Sequence, residues 1–84
     1  MKISTTKQLS AYLKNVRLDS HLSQTDVAKK VGVRQDTVSN FELRAGTTKL
    51  DTFFKLLSAL ELDFEITPRN SLNNDDKSDW KEEW

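Results

Sequence analysis

The chain has 84 residues, no cysteine, one histidine, and thirteen basic side chains against thirteen acidic ones, for a formal net charge of zero. That length supports one small domain with a thin core, for which pairing with a second copy is an economical way to bury more apolar surface. Without a thiol and with His21 alone, a zinc cluster, a disulfide framework and a cysteine nucleophile are excluded, and no apolar run approaches the ~18–20 residues that cross a bilayer.

In chain order, Ser4 or Thr5 can cap a first helix of roughly Thr6 to Asp19, whose Leu9, Tyr12, Leu13 and Val16 recur on one helical face. Ser23-Gln24-Thr25-Asp26 reads as the cap of a second helix, with an acid three positions on, spanning about Gln24 to Val31. It stops at Gly32, which can take the left-handed conformation of a tight turn. A third helix runs from Arg34 or Gln35 to Leu43, with Val38 and Phe41 inward and Gln35, Asp36, Thr37, Ser39 and Asn40 on its other faces. Ala45-Gly46-Thr47-Thr48 form a loop, and Leu50, Phe53, Phe54, Leu57 and Leu60 give a fourth helix the strongest apolar stripe.

Residues 62–67 switch to strict alternation, the pattern of a strand with one apolar and one acidic face, ended by Pro68. No second such segment exists to satisfy its edges, so two copies pairing antiparallel about a two-fold axis is the economical solution, pooling Leu62, Phe64 and Ile66 in one apolar layer; the alternative is an irregular stretch covering one subunit's core. The fold class is therefore all-α with one short strand: a helical domain over residues 1–68 and an acidic tail over 69–84, too polar to order by itself. The tail ends in Trp80 and Trp84, either tolerated aromatics or anchors for a partner protein, since Trp is enriched at interface hot spots.

The zero net charge hides a segregation. Met1 to Lys49 carries nine basic and four acidic side chains, Leu50 to Trp84 the reverse, as suits a protein that meets a polyanion with its front and something else with its back. The second helix, the Gly32 turn and the third helix have the lengths and small or apolar positions of a helix-turn-helix, and the third helix exposes short or planar hydrogen-bonders that suit base edges in a major groove.

Site roles follow from chemistry and position. Arg34 and Gln35 open the reading helix, where Arg suits guanine and Gln adenine; Thr37 and Ser39 can reach a base edge, a thymine methyl or a phosphate; Asp36 either accepts from cytosine or repels wrong sequences. Gln24, at the helix end that meets the backbone, Lys29, Asn40 and Lys49 are the phosphate candidates, Lys29, Lys30 and Arg17 being equally readable as solvated surface charges. Glu42 reads as structural, bonded to backbone or Arg, and His21 as a solvent-side or packing residue. No nucleophile with a base, metal cluster or phosphate loop presents itself, so neither an enzyme nor a cofactor is expected.

The stretch from Leu22 to Glu42, with S-Q-x-x-V-A at Ser23 and R-Q-x-T-V-S-N-F-E at Arg34, resembles the Cro/C1 (XRE-type) helix-turn-helix family, over roughly Gln8 to Leu60. A domain of this type followed by one alternating strand and a polar tail ending in Trp, with the segment Thr52-Phe53-Phe54-Lys55-Leu56-Leu57 followed by Leu60-Glu61-Leu62, is similar to the HipB-type antitoxins. The resemblance implies a lambda-repressor-like four-helix domain and a homodimer joined by an intersubunit sheet. It also implies repression of the protein's own operon through palindromic operators and neutralisation of a HipA-type serine/threonine kinase toxin, the partner that Trp80 and Trp84 would contact. A stand-alone repressor of the same fold is the alternative. The expected compartment is the cytoplasm, at the nucleoid when on its operator, with no membrane partner.

Overall fold

Four α-helices and a single 3-10 turn build the chain across residues 2–69, the part that the computed structural model describes. The first helix, α1 (Thr6–Asp19), starts at Thr5, whose hydroxyl accepts from the Gln8 backbone N–H at 3.1 Å while the Gln8 side-chain oxygen accepts from the N–H groups of Ser4 and Thr5. The second, α2 (Gln24–Val31), begins with the same reciprocal arrangement, Ser23 and Asp26 each donating a backbone N–H to the other's side-chain oxygen at 2.9 Å. Both boxes satisfy N–H groups that the first turn of a helix leaves without partners.

Helix ends are as regular as the beginnings. His21, Gly32 and Glu61, which follow α1, α2 and α4 (Leu50–Ala59), all adopt left-handed backbone, with φ of 60°, 72° and 59°. After each, the next residue's N–H reaches back to a carbonyl in the last turn: Leu22 to Arg17 at 3.1 Å, Val33 to Ala28 at 3.0 Å, Leu62 to Leu57 at 2.9 Å. Leu22, Val33 and Leu62 then lay their side chains against the core. Such closure satisfies the orphan carbonyls and reverses the chain. Sequence reading expected it at Gly32 only, because nothing in a histidine or a glutamate announces a positive φ.

The core consists of Leu13 of α1, Val27 and Ala28 of α2, Val38 and Phe41 of α3 (Gln35–Leu43), and Phe53, Leu56, Leu57 and Ala59 of α4. α2 sits at its centre, packed on both α3 and α4, with α1 covering α3 and the 3-10 turn Ala45–Thr47. Two expectations are corrected. On α4 the buried face is Phe53, Leu56, Leu57 and Ala59, whereas Leu50 and Phe54, assigned to the apolar stripe, are 72% and 48% exposed. On α1 the buried positions are Ser10, Leu13 and Arg17, with Leu9, Tyr12 and Val16 only half-buried.

Residues 62–69 hold no helix and no strand. A strand exists only with a hydrogen-bonded neighbour, and among the described residues one chain offers none. The segment is nevertheless anchored: the Phe64 ring stands edge-on to both Phe53 and Phe54, each at 5.6 Å between centroids, a favoured arrangement for aromatic pairs. The tail, with Trp80 and Trp84, lies outside the described residues.

Candidate nucleic-acid interface

Three residues, Gly32, Val33 and Arg34, join α2 to α3. Val27 and Ala28 on α2 and Val38 and Phe41 on α3 are buried together, which fixes how the two helices cross and leaves the opposite flank of α3 outward. Gln35, Asp36 and Asn40 on that flank are exposed, Thr37 and Ser39 half-buried. Arg34 precedes the helix as its cap residue, exposed and with no side-chain capping bond, so its guanidinium is uncommitted to the helix end. Lys49 stands in the same relation to α4, and Lys29 lies exposed in the last turn of α2. Neither α3 nor α4 has its first N–H groups capped by a side chain, and such groups suit phosphate oxygens.

The structure also brings together residues that sequence reading kept apart. Arg17, expected either at a phosphate or in solvent, is buried and forms a two-point ion pair with Glu42, Nε to Oε2 at 2.6 Å and Nη2 to Oε1 at 3.0 Å. Its Nη1 donates to the Leu22 carbonyl at 2.9 Å, so it ties α1, the turn after it and α3 into one unit. Glu42 Oε1 accepts in addition from Gln24 Nε2 at 3.0 Å, and Gln24 Oε1 in turn accepts from Gln35 Nε2. A hydrogen-bonded chain therefore runs from a buried guanidinium to the first residue of α3. The signal for it lies in the spacing: Ser10, Leu13 and Arg17 follow the helical period, which puts Arg17 on the buried face despite its charge.

Asp26, on the first turn of α2, has its carboxyl held below the usual carboxylate range by the Ser23 backbone N–H, then by the Ser23 hydroxyl, with Lys29 adding a smaller favourable field. Of the dimerisation candidates, Leu62 is half-buried against its own core, while Phe64 and Ile66 are 52% and 79% exposed. Among the described residues, no group of three or more His, Asp or Glu side chains could hold a metal and no helix is long and apolar enough to cross a membrane.

Two short helices crossing over a buried small residue, with a three-residue turn and a polar outward flank on the second, define a helix-turn-helix domain. The family model described as "Helix-turn-helix" matches residues 13–66. Antitoxin HipB of Escherichia coli strain K12 is 36% identical over 83 residues, covering 99% of this chain and 94% of that protein; Antitoxin HipB of Escherichia coli O6:H1 strain CFT073 is 43% identical over 65 residues, 77% and 69% of the respective chains. A solved structure described as a HipA-HipB-O2-O3 complex superposes with a TM-score of 0.81 at 40% identity, over 83% of this chain and 99% of that one; a HipB-O4 20mer complex gives 0.80 with the same identity and coverage. The chain belongs to the helix-turn-helix family and, within it, to the HipB antitoxins.

Proposed function

We propose that this protein is a DNA-binding antitoxin that represses its own toxin-antitoxin operon and neutralises a HipA-type serine/threonine kinase. The observation that carries the DNA half is the outward flank of α3: exposed Gln35, Asp36 and Asn40 with half-buried Thr37 and Ser39, hydrogen-bonding groups supported from beneath by Val38 and Phe41. Arg34, Gln35, Asp36, Thr37 and Ser39 read base edges, while Gln24, Lys29, Asn40 and Lys49 hold phosphates and set the register. The kinase half is supported by likeness along nearly the whole length of an Escherichia coli HipB and by superposition on HipB in a complex with HipA. Trp80 and Trp84 are the proposed toxin contacts.

Two copies pair through the segment carrying Leu62, Phe64 and Ile66, so that the reading helices are presented twice to a palindrome. The protein is not an enzyme and works in the cytoplasm. A stand-alone repressor would need the same DNA surface but no kinase.

Titrating palindromic duplexes against salt tests the DNA half. A dimer neutralising ~8 phosphates gives a log-log slope near −7. A slope near zero removes the DNA reading. Co-purification with a co-expressed HipA-type kinase tests the other half: capture by the full chain and weakened capture after truncation behind Arg69 support it, and no capture leaves the stand-alone repressor.

A further inference from the structure

We propose that Glu42 is a positioning residue for sequence reading: it fixes the polarity of the Gln24–Gln35 amide pair and thereby makes Gln35 select adenine over guanine. The inference rests on the reading of Gln35 as a base contact. Its ground is the one-way chemistry of the hydrogen-bonded chain. An ionised carboxylate only accepts, whereas an amide side chain has a donating end and an accepting end. The Glu42 carboxylate cannot turn away, because Arg17 grips both of its oxygens and the side chains of the pair are 9% and 6% exposed.

Gln24 must therefore present its NH2 group to Glu42 Oε1, as it does at 3.0 Å, since a carbonyl oxygen there would face a carboxylate oxygen. That leaves Gln24 Oε1 toward α3, where it can be met only by the NH2 group of Gln35. Gln35 keeps one free N–H and its own Oε1, a donor beside an acceptor. Adenine offers the complement, N7 accepting and N6 donating. With the chain reversed, Gln35 Oε1 would be engaged and both N–H groups free, which suits the two acceptors N7 and O6 of guanine. The choice between purines thus originates at a residue on the last turn of the same helix.

The test uses the full-length protein and a duplex library randomised in both half-sites, followed by affinities for the selected duplex with A·T or G·C at each position. The wild type is expected to prefer adenine over guanine about five- to a hundredfold at one position per half-site, and Gln35→Ala to erase that preference. Gln24→Met, which keeps the Arg17–Glu42 pair, and Glu42→Gln are each expected to bring the ratio at that position within about threefold while leaving ratios elsewhere intact. Where circular dichroism shows that Glu42→Gln does not fold, Arg17→Met combined with Glu42→Leu, which removes the carboxylate without stranding a buried charge, takes its place. If Gln35→Ala leaves the preference in place, base reading by Gln35 fails and the proposal with it. Should Gln35→Ala erase it while the other variants retain it, Gln35 reads unaided and the role of Glu42 is overturned. Guanine selected by the wild type, or an equal loss at every position, also overturns it.

Discussion

Arg17 on α1 and Glu42 on α3 meet across the domain in a two-point ion pair, at 2.6 Å and 3.0 Å, beneath the helix that faces outward. Its energetic weight is asymmetric. A buried pair contributes little net stability over apolar residues of the same shape, but removing one partner strands the other charge out of water. Arg17→Ala or Glu42→Ala is expected to cost about 3–5 kcal/mol, a large share of what so small a domain has. Arg17→Met combined with Glu42→Leu should regain most of it. Urea midpoints measure both, and an Arg17→Ala midpoint equal to the wild type's would show the pair to be idle.

Gly32 holds φ of 72°, and a Cβ placed there would meet nothing within 4 Å. The cost of Gly32→Ala is therefore purely conformational, about 1–2 kcal/mol for forcing an L side chain into left-handed backbone. Gly32→Asn should cost less, because asparagine visits that region more readily. Equal destabilisation by the two would point to a steric obstacle.

The Asp26 carboxyl titrates below its ordinary range because it is held by Ser23 in the cap of α2. A carboxyl depressed on folding contributes stability that is full above its unfolded pKa and is lost as the pH falls through the folded value, here from about pH 4 downward. Asp26→Asn should thus flatten the fall of the melting temperature below about pH 4. An unchanged acid limb would mean that the cap is already lost at neutral pH.

Phe64→Asp places a charge where the proposed subunit layer lies, beside the half-exposed ring of Phe54. Sedimentation velocity is expected to show monomers at concentrations where the wild type pairs. Thermal melts accompany it, since Phe64 also packs on Phe53 within its own chain. A folded variant that still dimerises would move the interface elsewhere.

The starts of α1 and α2 and the end of α2 were legible from the letters because each has a local cause: a Ser or Thr with its partner three residues on, or a glycine. The outward face of α3 was legible for the same reason. What escaped were effects of partners distant in the chain. Arg17 lies on the buried stripe with Ser10 and Leu13, yet a polar letter there means burial only once Glu42 supplies the counter-charge. The bond from Gln24 to Glu42 likewise forms only once α3 is folded over the start of α2. On α4 the count of apolar letters exceeded what one face can bury, and no periodicity says that Leu56 and Ala59 go inward while Leu50 does not.

The left-handed turn at Glu61 sends the chain back over α4, where Leu62 and then Phe64 are seated on their own subunit. In the proposed pair, each copy arrives with this arm already laid in place. The disorder given up to shape it belongs to folding rather than to association, and two subunits meet as finished surfaces. Re-pairing after dilution would then be limited by diffusion and collision geometry, with no slow ordering step between encounter and a competent reader of palindromes.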